Sequence, residues 1–245
     1  MIIPKEATQH FKRQCEYKRL EVLCGLLKEG DKVLDVGCGI GTYTSNPLSY
    51  LPIDITAIDS DRKTVEYAIE RNRHKNLDFT CDSGEYFDTG ERYDLIVCSH
   101  ILEHTLTPLM LLGNMKRLLK DDGVLYLGVP NGYGVFELQN LVPRILSRTD
   151  WGKRLIGKML GDKAKDTLNT DSLHIHFFTV GSITKLLRIG GWQVSAQISD
   201  EFLGGVVFDR IFCKLPVLAR WNSSIADRLP LWLTNGWIFI CEKKI

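Results

Sequence analysis

The 245-residue sequence has no apolar run that approaches the length of a membrane span or of a signal-peptide core, and its first residues, Met1-Ile-Ile-Pro-Lys-Glu, turn polar at once. A cytoplasmic location is the expectation. The sequence also has no C-x-x-C pair. Its seven cysteines (Cys15, Cys24, Cys38, Cys81, Cys98, Cys213, Cys241) are odd in number and scattered, which speaks against a disulfide framework or a cysteine zinc site. Several lie inside apolar runs, as Cys98 does in Leu-Ile-Val-Cys, so buried reduced thiols are expected. Excess charge of either sign is nearly absent too. With 31 basic and 30 acidic residues the formal net charge is +1, too little for a global field that would hold nucleic acid or an anionic membrane. There is no internal repeat and no low-complexity tract, and a hydrophobic share of 44% describes an ordinary globular chain.

What is present is alternation. An apolar series of helical spacing within residues 11–28 ends at Gly30, and β-rich runs then alternate with helical stretches. The strands are read at 32–36, 53–59, 77–81, 93–99, 124–129, 192–198 and 237–241, and the helices at 43–50, 62–72, 108–119 and 180–189. Strand, helix, strand in repetition gives a doubly wound, mostly parallel seven-stranded α/β sheet with helices on both faces. The runs Asp94-Leu-Ile-Val-Cys and Val124-Leu-Tyr-Leu-Gly-Val are almost continuously apolar, as central strands covered on both sides are. The expectation is one domain over residues 1–245 with an N-terminal helical segment at 1–30. Residues 131–178, after the fifth strand, are too long for a passive connection and read as an insertion or lid. Residues 202–233, rich in Phe, Leu, Trp and Pro, read as a second, cap-like insertion before the last strand.

The strongest local signal is Val33-Leu-Asp-Val-Gly-Cys-Gly-Ile-Gly-Thr-Tyr, a buried strand running into a turn with Gly37, Gly39 and Gly41 and then a helix. In a doubly wound sheet the crevice at the carboxyl ends of the strands is where ligands bind, and glycines there let backbone approach them. A dinucleotide fingerprint spaces its glycines G-x-G-x-x-G to seat a pyrophosphate on a helix N-terminus. Here the spacing is G-x-G-x-G, and Asp35, two residues before Gly37, sets a carboxylate beside the turn. A cation suits that place better than a pyrophosphate. S-adenosylmethionine carries an ammonium and a sulfonium, so charge sign favours it. Asp59 ends the second strand about twenty residues further on, where a carboxylate can accept hydrogen bonds from ribose hydroxyls.

With those residues in place, the chain resembles the class I S-adenosylmethionine-dependent methyltransferases. Within them it is similar to the small-molecule group that includes ubiquinone-pathway O-methyltransferases. Leu34-Asp-Val-Gly-Cys-Gly-Ile-Gly resembles the family's first motif, Asp59 its ribose acid and Asp82 in Cys81-Asp-Ser its adenine-side acid. Tyr93-Asp-Leu-Ile-Val-Cys-Ser-His, which contains Ser99, resembles its fourth strand. Residues 118–131 resemble the fifth-strand motif. The resemblance runs from about Val33 to Pro130, and more weakly to Trp192. It implies a Rossmann-like fold, S-adenosylmethionine as cofactor with S-adenosylhomocysteine as product, and a cofactor site at Asp35, Gly37, Gly39, Gly41, Asp59, Asp82 and Ser99.

Methyl transfer from a sulfonium is an in-line displacement, so positioning of the nucleophile carries most of the burden. A hydroxyl nucleophile gains further from a general base. The sequence offers His100, Glu103 and His104 just past the fourth strand, and His174 and His176 on one side of an extended segment before the helix at 180–189. His104, His174 and His176 are the catalytic candidates, with a structural hydrogen bond for His104 and an anchoring role for the histidine pair as the alternatives. Glu103 and the histidines are donor types for a divalent ion, but their spacing in the chain assigns no metal.

Residues 141–165 combine seven basic with two acidic residues and a regular apolar series, a basic amphipathic stretch. Such a stretch suits a peripheral membrane contact or a cover over an anionic substrate, and a solvated helix face is the alternative. The overall expectation is methylation of an oxygen on a small-molecule or lipid-linked acceptor. Its rivals are N- or C-methylation on the same fold and a non-catalytic cofactor-binding protein. With no nucleic-acid module and no Asn/Asp-Pro-Pro-Tyr tetrapeptide, no nucleic-acid partner is expected.

Overall fold

In the computed structural model of the chain, which describes residues 3–11, 14–134, 149–151, 154, 174–203 and 216–244, seven strands form one sheet. They are β1 (Lys32–Val36), β2 (Asp54–Asp59), β3 (Leu77–Cys81), β4 (Tyr93–Ser99), β5 (Leu119–Pro130), β6 (Trp192–Ser199) and β7 (Gly236–Lys243). Their order is β3-β2-β1-β4-β5-β7-β6. β1 to β5 pair in parallel, while β7 runs antiparallel to both β5 and β6. The residues just after β1, β2, β4 and β6 and just before β7 therefore share one edge of the sheet. That edge holds the site.

The helices are α1 (Gln14–Leu26), α2 (Ser45–Leu48), α3 (Arg62–Arg71), α4 (Pro108–Leu118), α5 (Val180–Ile189) and α6 (Pro216–Ala226). Alternate strand residues face opposite sides, and the core divides accordingly. Leu34, Val36, Ile96 and Leu127 pack with α4 and α5 on one face. Val33, Ile55, Val97 and Tyr126 pack with α1 and α3 on the other. Helix ends follow their local chemistry. Thr179 and Ser182 cap α5 reciprocally, Asp61 accepts the Thr64 N–H at the start of α3, and Pro108 stands at the start of α4.

Three places add most to the sequence reading. The helix expected over 43–50 is only one turn, Ser45–Leu48, because Pro52 disfavours helical backbone at Leu51. β5 starts at Leu119 rather than at Val124. Leu119 pairs with Tyr93, the register shifts before Leu95, and the Lys120 ammonium bridges both oxygens of Asp94 at 2.7 and 2.8 Å. Residues 121–123 are thus a bulged extension of the strand, where the sequence suggested a plain stop. Finally, the stretch read as cap-like, 202–233, contains α6 against α1, with the Asn222 side chain bonded to the backbone of Leu203. No helix among the described residues is long and apolar enough to cross a membrane. Of the basic stretch 141–165, only Thr149, Asp150, Trp151 and Arg154 are described, all exposed; the remainder lies outside the described residues.

Candidate active site

The glycine turn owes its shape to residues without side chains. Gly37, Gly39 and Gly41 all have positive φ, of 71°, 55° and 77°. A Cβ on Gly37 would stand 2.1 Å from Ile101 Cδ1, and one on Gly41 2.8 Å from Phe79 Cζ. The turn is fastened sideways to β2, since the N–H groups of Gly37 and Cys38 both donate to the Ile58 carbonyl, at 2.8 and 3.0 Å. The Asp59 carboxylate accepts the N–H of Gly39 on one oxygen and that of Asp61 on the other, each at 2.9 Å. Asp59 does not cap α3; Asp61 does.

Beside this turn lies a cavity of about 230 Å³ lined by Gly37, Asp59, Asp82, Ser83, Glu85 and Ile101, among others. Asp82 Oδ1 accepts the N–H of Ser83 at 2.7 Å, which shapes the loop after β3. Glu85 is buried enough to raise its carboxyl, but hydroxyl donors from Ser83 and Thr105 outweigh burial and hold it below the usual range. Those donors tie the β3 loop to the β4 loop.

A second cavity of about 400 Å³ meets the first at Gly37 and His104. Asp35, Ser99, His100, Glu103 and His174 line it, together with Arg19, Asp200, Glu201 and Asn235. Burial lifts the Asp35 carboxyl to about 7, against the pull of the Ser45 hydroxyl that donates to it and with the added push of the Asp59 charge. Across the cavity, Arg19 of α1 donates from Nε to Asp200 Oδ1 at 3.0 Å and from its Nη2 to the other oxygen. Asn235 is fixed to Glu201 through backbone at 2.8 Å and side chain at 3.3 Å.

His100, the one non-glycine with positive φ among the described residues (58°), folds the chain back over the crevice after β4. The backbone carbonyl of Glu103 then accepts the N–H groups of Ile175 and His176 at 2.8 and 3.0 Å. This brings His174 to His104, ring edge to ring face, with centroids 4.9 Å apart. His176 goes elsewhere. Its Nε2 lies 3.1 Å from the Thr105 carbonyl and its ring stacks on Phe178. So the structure joins His104 and His174 at the cavity and sets His176 behind them.

Of the residues proposed from sequence, Asp59 and Asp82 line the first cavity, Asp35, Ser99 and His174 the second, and Gly37 and His104 both. Gly39 and Gly41 shape the turn. Sequence reasoning missed Arg19, Glu85, Asp200, Glu201 and Asn235. The signal for Asp200 and Glu201 was available, as two carboxylates directly after a strand whose carboxyl end joins the ligand edge. Arg19 carried none, for nothing in α1 announces a partner 181 residues away.

A sheet of this order, with a glycine turn after β1 and an acid ending β2, defines the class I S-adenosylmethionine-dependent methyltransferase fold. Solved structures agree over nearly the whole chain. A putative methyltransferase from Bacillus halodurans C-125 superposes with a TM-score of 0.59 at 14% identity, covering 94% of this chain and 99% of that one. PKMT2 from Rickettsia typhi in complex with AdoHcy gives 0.59 at 14%, covering 94% and 53%. In sequence, the ubiquinone biosynthesis O-methyltransferase of Actinobacillus pleuropneumoniae serotype 5b (strain L20) is 34% identical over 110 residues, 42% of this chain and 47% of that protein. The chain thus spans about half the length of the curated relatives it matches. The methyltransferase domain family matches residues 8–197, and the chain belongs to it. The Rickettsia typhi structure holds AdoHcy, the demethylated product of S-adenosylmethionine.

Proposed function

We propose that the protein methylates a hydroxyl oxygen of a small-molecule or lipid-linked acceptor. The observation that supports this reading is the second cavity, which opens from the cofactor crevice at Gly37 and ends on Glu103, His104 and His174. In the reaction the acceptor oxygen attacks the methyl carbon, the carbon–sulfur bond breaks, and sulfur keeps the pair as a neutral thioether. The acceptor must also lose its proton. Nitrogen-rich side chains at the end of the cavity are the groups that can draw it off. An amine acceptor attacks through a free lone pair and has less need of such a cluster.

Asp59 and Asp82 line the adenosine side in this reading, and Asp35 faces the cationic end of the cofactor. The relation to ubiquinone biosynthesis O-methyltransferases points the same way. The lipid-linked alternative draws on the basic, apolar stretch 141–165. The test is transfer of labelled methyl from S-adenosylmethionine to panels of phenols, alcohols, amines and activated carbon acids, with product linkage read by mass spectrometry. Ether products support the reading, and exclusive N- or C-methylation overturns it.

A further inference from the structure

We propose that Glu103, His104 and His174 form a binding site for a divalent transition-metal ion of the zinc class, placed to hold the acceptor oxygen. In that role the site rests on the O-methylation reading above. As a binding site it rests on geometry alone.

Glu103 supplies the first argument. Its side chain is 1% exposed, and neither carboxylate oxygen has a hydrogen-bond partner among the described residues. Nearly all buried polar groups find one, and a carboxylate pays several times more than an amide for going without. A donor was close at hand: the Thr105 hydroxyl, two residues on, donates to Glu85 instead. The Glu103 carbonyl is engaged by the N–H groups of residues 175 and 176, so the residue is held in place at the wall of the cavity.

The second argument is what gathers round it. One donor atom each from Glu103, His104 and His174 fall within 4.8 Å of one another, and this is the metal-capable group found among the described residues. His104 Nε2 lies 3.9 Å and His100 Nδ1 3.5 Å from Glu103 Oε1, so a fourth donor stands at the rim. Ligands on a tetrahedral ion with bonds of about 2.0–2.1 Å stand roughly 3.3 Å apart, which side-chain rotation can reach from here. His100 reaches this spot through left-handed backbone, and such strain persists where the surroundings over-determine it.

The donor set selects the ion. Two imidazoles with one carboxylate suit zinc and its neighbours, whereas magnesium and calcium prefer oxygen throughout. Three protein ligands leave a coordination position open. Gly37 and His104 border both cavities, so the site lies where the second cavity meets the first. An acceptor hydroxyl bound there would become more acidic, lose its proton to water and present its oxygen to the methyl carbon.

The experiment is titration of the purified, chelator-stripped protein with zinc chloride against a chromophoric competitor, and with cobalt chloride to read the visible absorption of a nitrogen- and oxygen-bound ion. The parent should bind one zinc with a Kd of about 1 µM or tighter. Glu103→Gln and His174→Ala should each weaken it by a hundredfold or more and lose the cobalt spectrum. Magnesium should not compete. S-adenosylhomocysteine calorimetry on each variant verifies the fold. No zinc binding by the parent, or equal binding by parent and both variants, overturns the proposal. A zinc site that behaves as stated in a protein methylating only amines retains the site and removes the O-methylation reading. Undiminished hydroxyl methylation by chelator-stripped protein retains that reading and removes the metal's role in it.

Discussion

Asp59 Oδ2 accepts the Gly39 N–H at 2.9 Å, so the acid that ends β2 is already fastened to the glycine turn without a ligand. Asp59→Ala removes that fastening and, in our reading, the acceptor for the ribose hydroxyls. Cofactor affinity should fall by about 1.5–3 kcal/mol, the scale of hydrogen bonds to charged groups. Asp61→Ala, which removes the cap of α3, should lower the melting temperature and leave affinity unchanged. Calorimetry with S-adenosylhomocysteine and thermal melts separate the two. Equal affinity losses in both variants would remove the ribose role from Asp59.

Gly37 answers to a double substitution. Left-handed backbone costs a non-glycine residue about 1–2 kcal/mol, and a Cβ here also drives Ile101 into the cofactor cavity. Gly37→Ala should weaken cofactor binding about tenfold or more. Trimming the obstacle with Ile101→Ala should recover part of the loss, leaving the backbone strain. Full binding by Gly37→Ala alone would mean that the cofactor does not approach this glycine.

Asp35 sets a pH dependence. With its carboxyl lifted to about 7 by burial, the folded chain retains a proton that the unfolded chain loses near pH 4. Stability of the free protein should therefore be greatest below that value and decline as pH rises to about 7. Cofactor binding needs the charged form opposite the ammonium, so affinity should rise over the upper part of the same window. Asp35→Asn should raise the melting temperature at pH 8 by at least about 2–4 °C, the effect of 1 kcal/mol at this size, and change it little at pH 4. The same variant should bind cofactor more weakly at pH 8 and without pH dependence. A variant no more stable at pH 8 than the parent contradicts the burial cost.

His174 and His176 should part company. His176 ties its segment to the Thr105 carbonyl and stacks on Phe178, so His176→Ala should lower the melting temperature and affect turnover only modestly. His174→Ala should leave stability near that of the parent and lower turnover about a hundredfold or more, the usual worth of a group that handles the acceptor proton. The reverse pattern would move the chemistry to His176.

The basic stretch is tested by charge reversal of Arg148, Lys153 and Arg154 to Glu. If it meets a lipid-linked or anionic acceptor, acceptor use and binding to anionic vesicles should fall with added salt in the parent, since exposed charges are screened over about 8–10 Å. The triple variant should lose that dependence and bind cofactor normally. Identical salt profiles would point to neutral small acceptors.

The glycine turn and the acids at the strand ends were legible in the sequence because they are local. Asp35, the three glycines, Asp59 and Asp82 lie on consecutive strand ends, and each spacing carries its own physical reason. The strands β1 to β4 were read to within a residue, because buried parallel strands write continuous apolar runs. What stayed hidden depends on long-range contact. Lys120 with Asp94 turns an apparent stop into strand, and Arg19 meets Asp200 from the far end of the chain. The separation of His176 from His174 lies between these cases. Period-two alternation puts both on one side, but only the Thr105 carbonyl decides which of them is withdrawn from the cavity.

The position of β7 between β5 and β6 has a bearing on the order of assembly during synthesis. A nascent chain emerges N-terminus first and folds as its parts become available. β1 to β5 need nothing later in the chain to pair with one another, so the cofactor crevice can take shape while translation continues. β6 must wait, because its only neighbour among the described strands is β7, translated after it. Asp200, Glu201 and Asn235 flank these two strands, so that wall of the second cavity closes last. In the proposed reading, competence on the ribosome to hold the methyl donor would precede competence to choose what receives the methyl group.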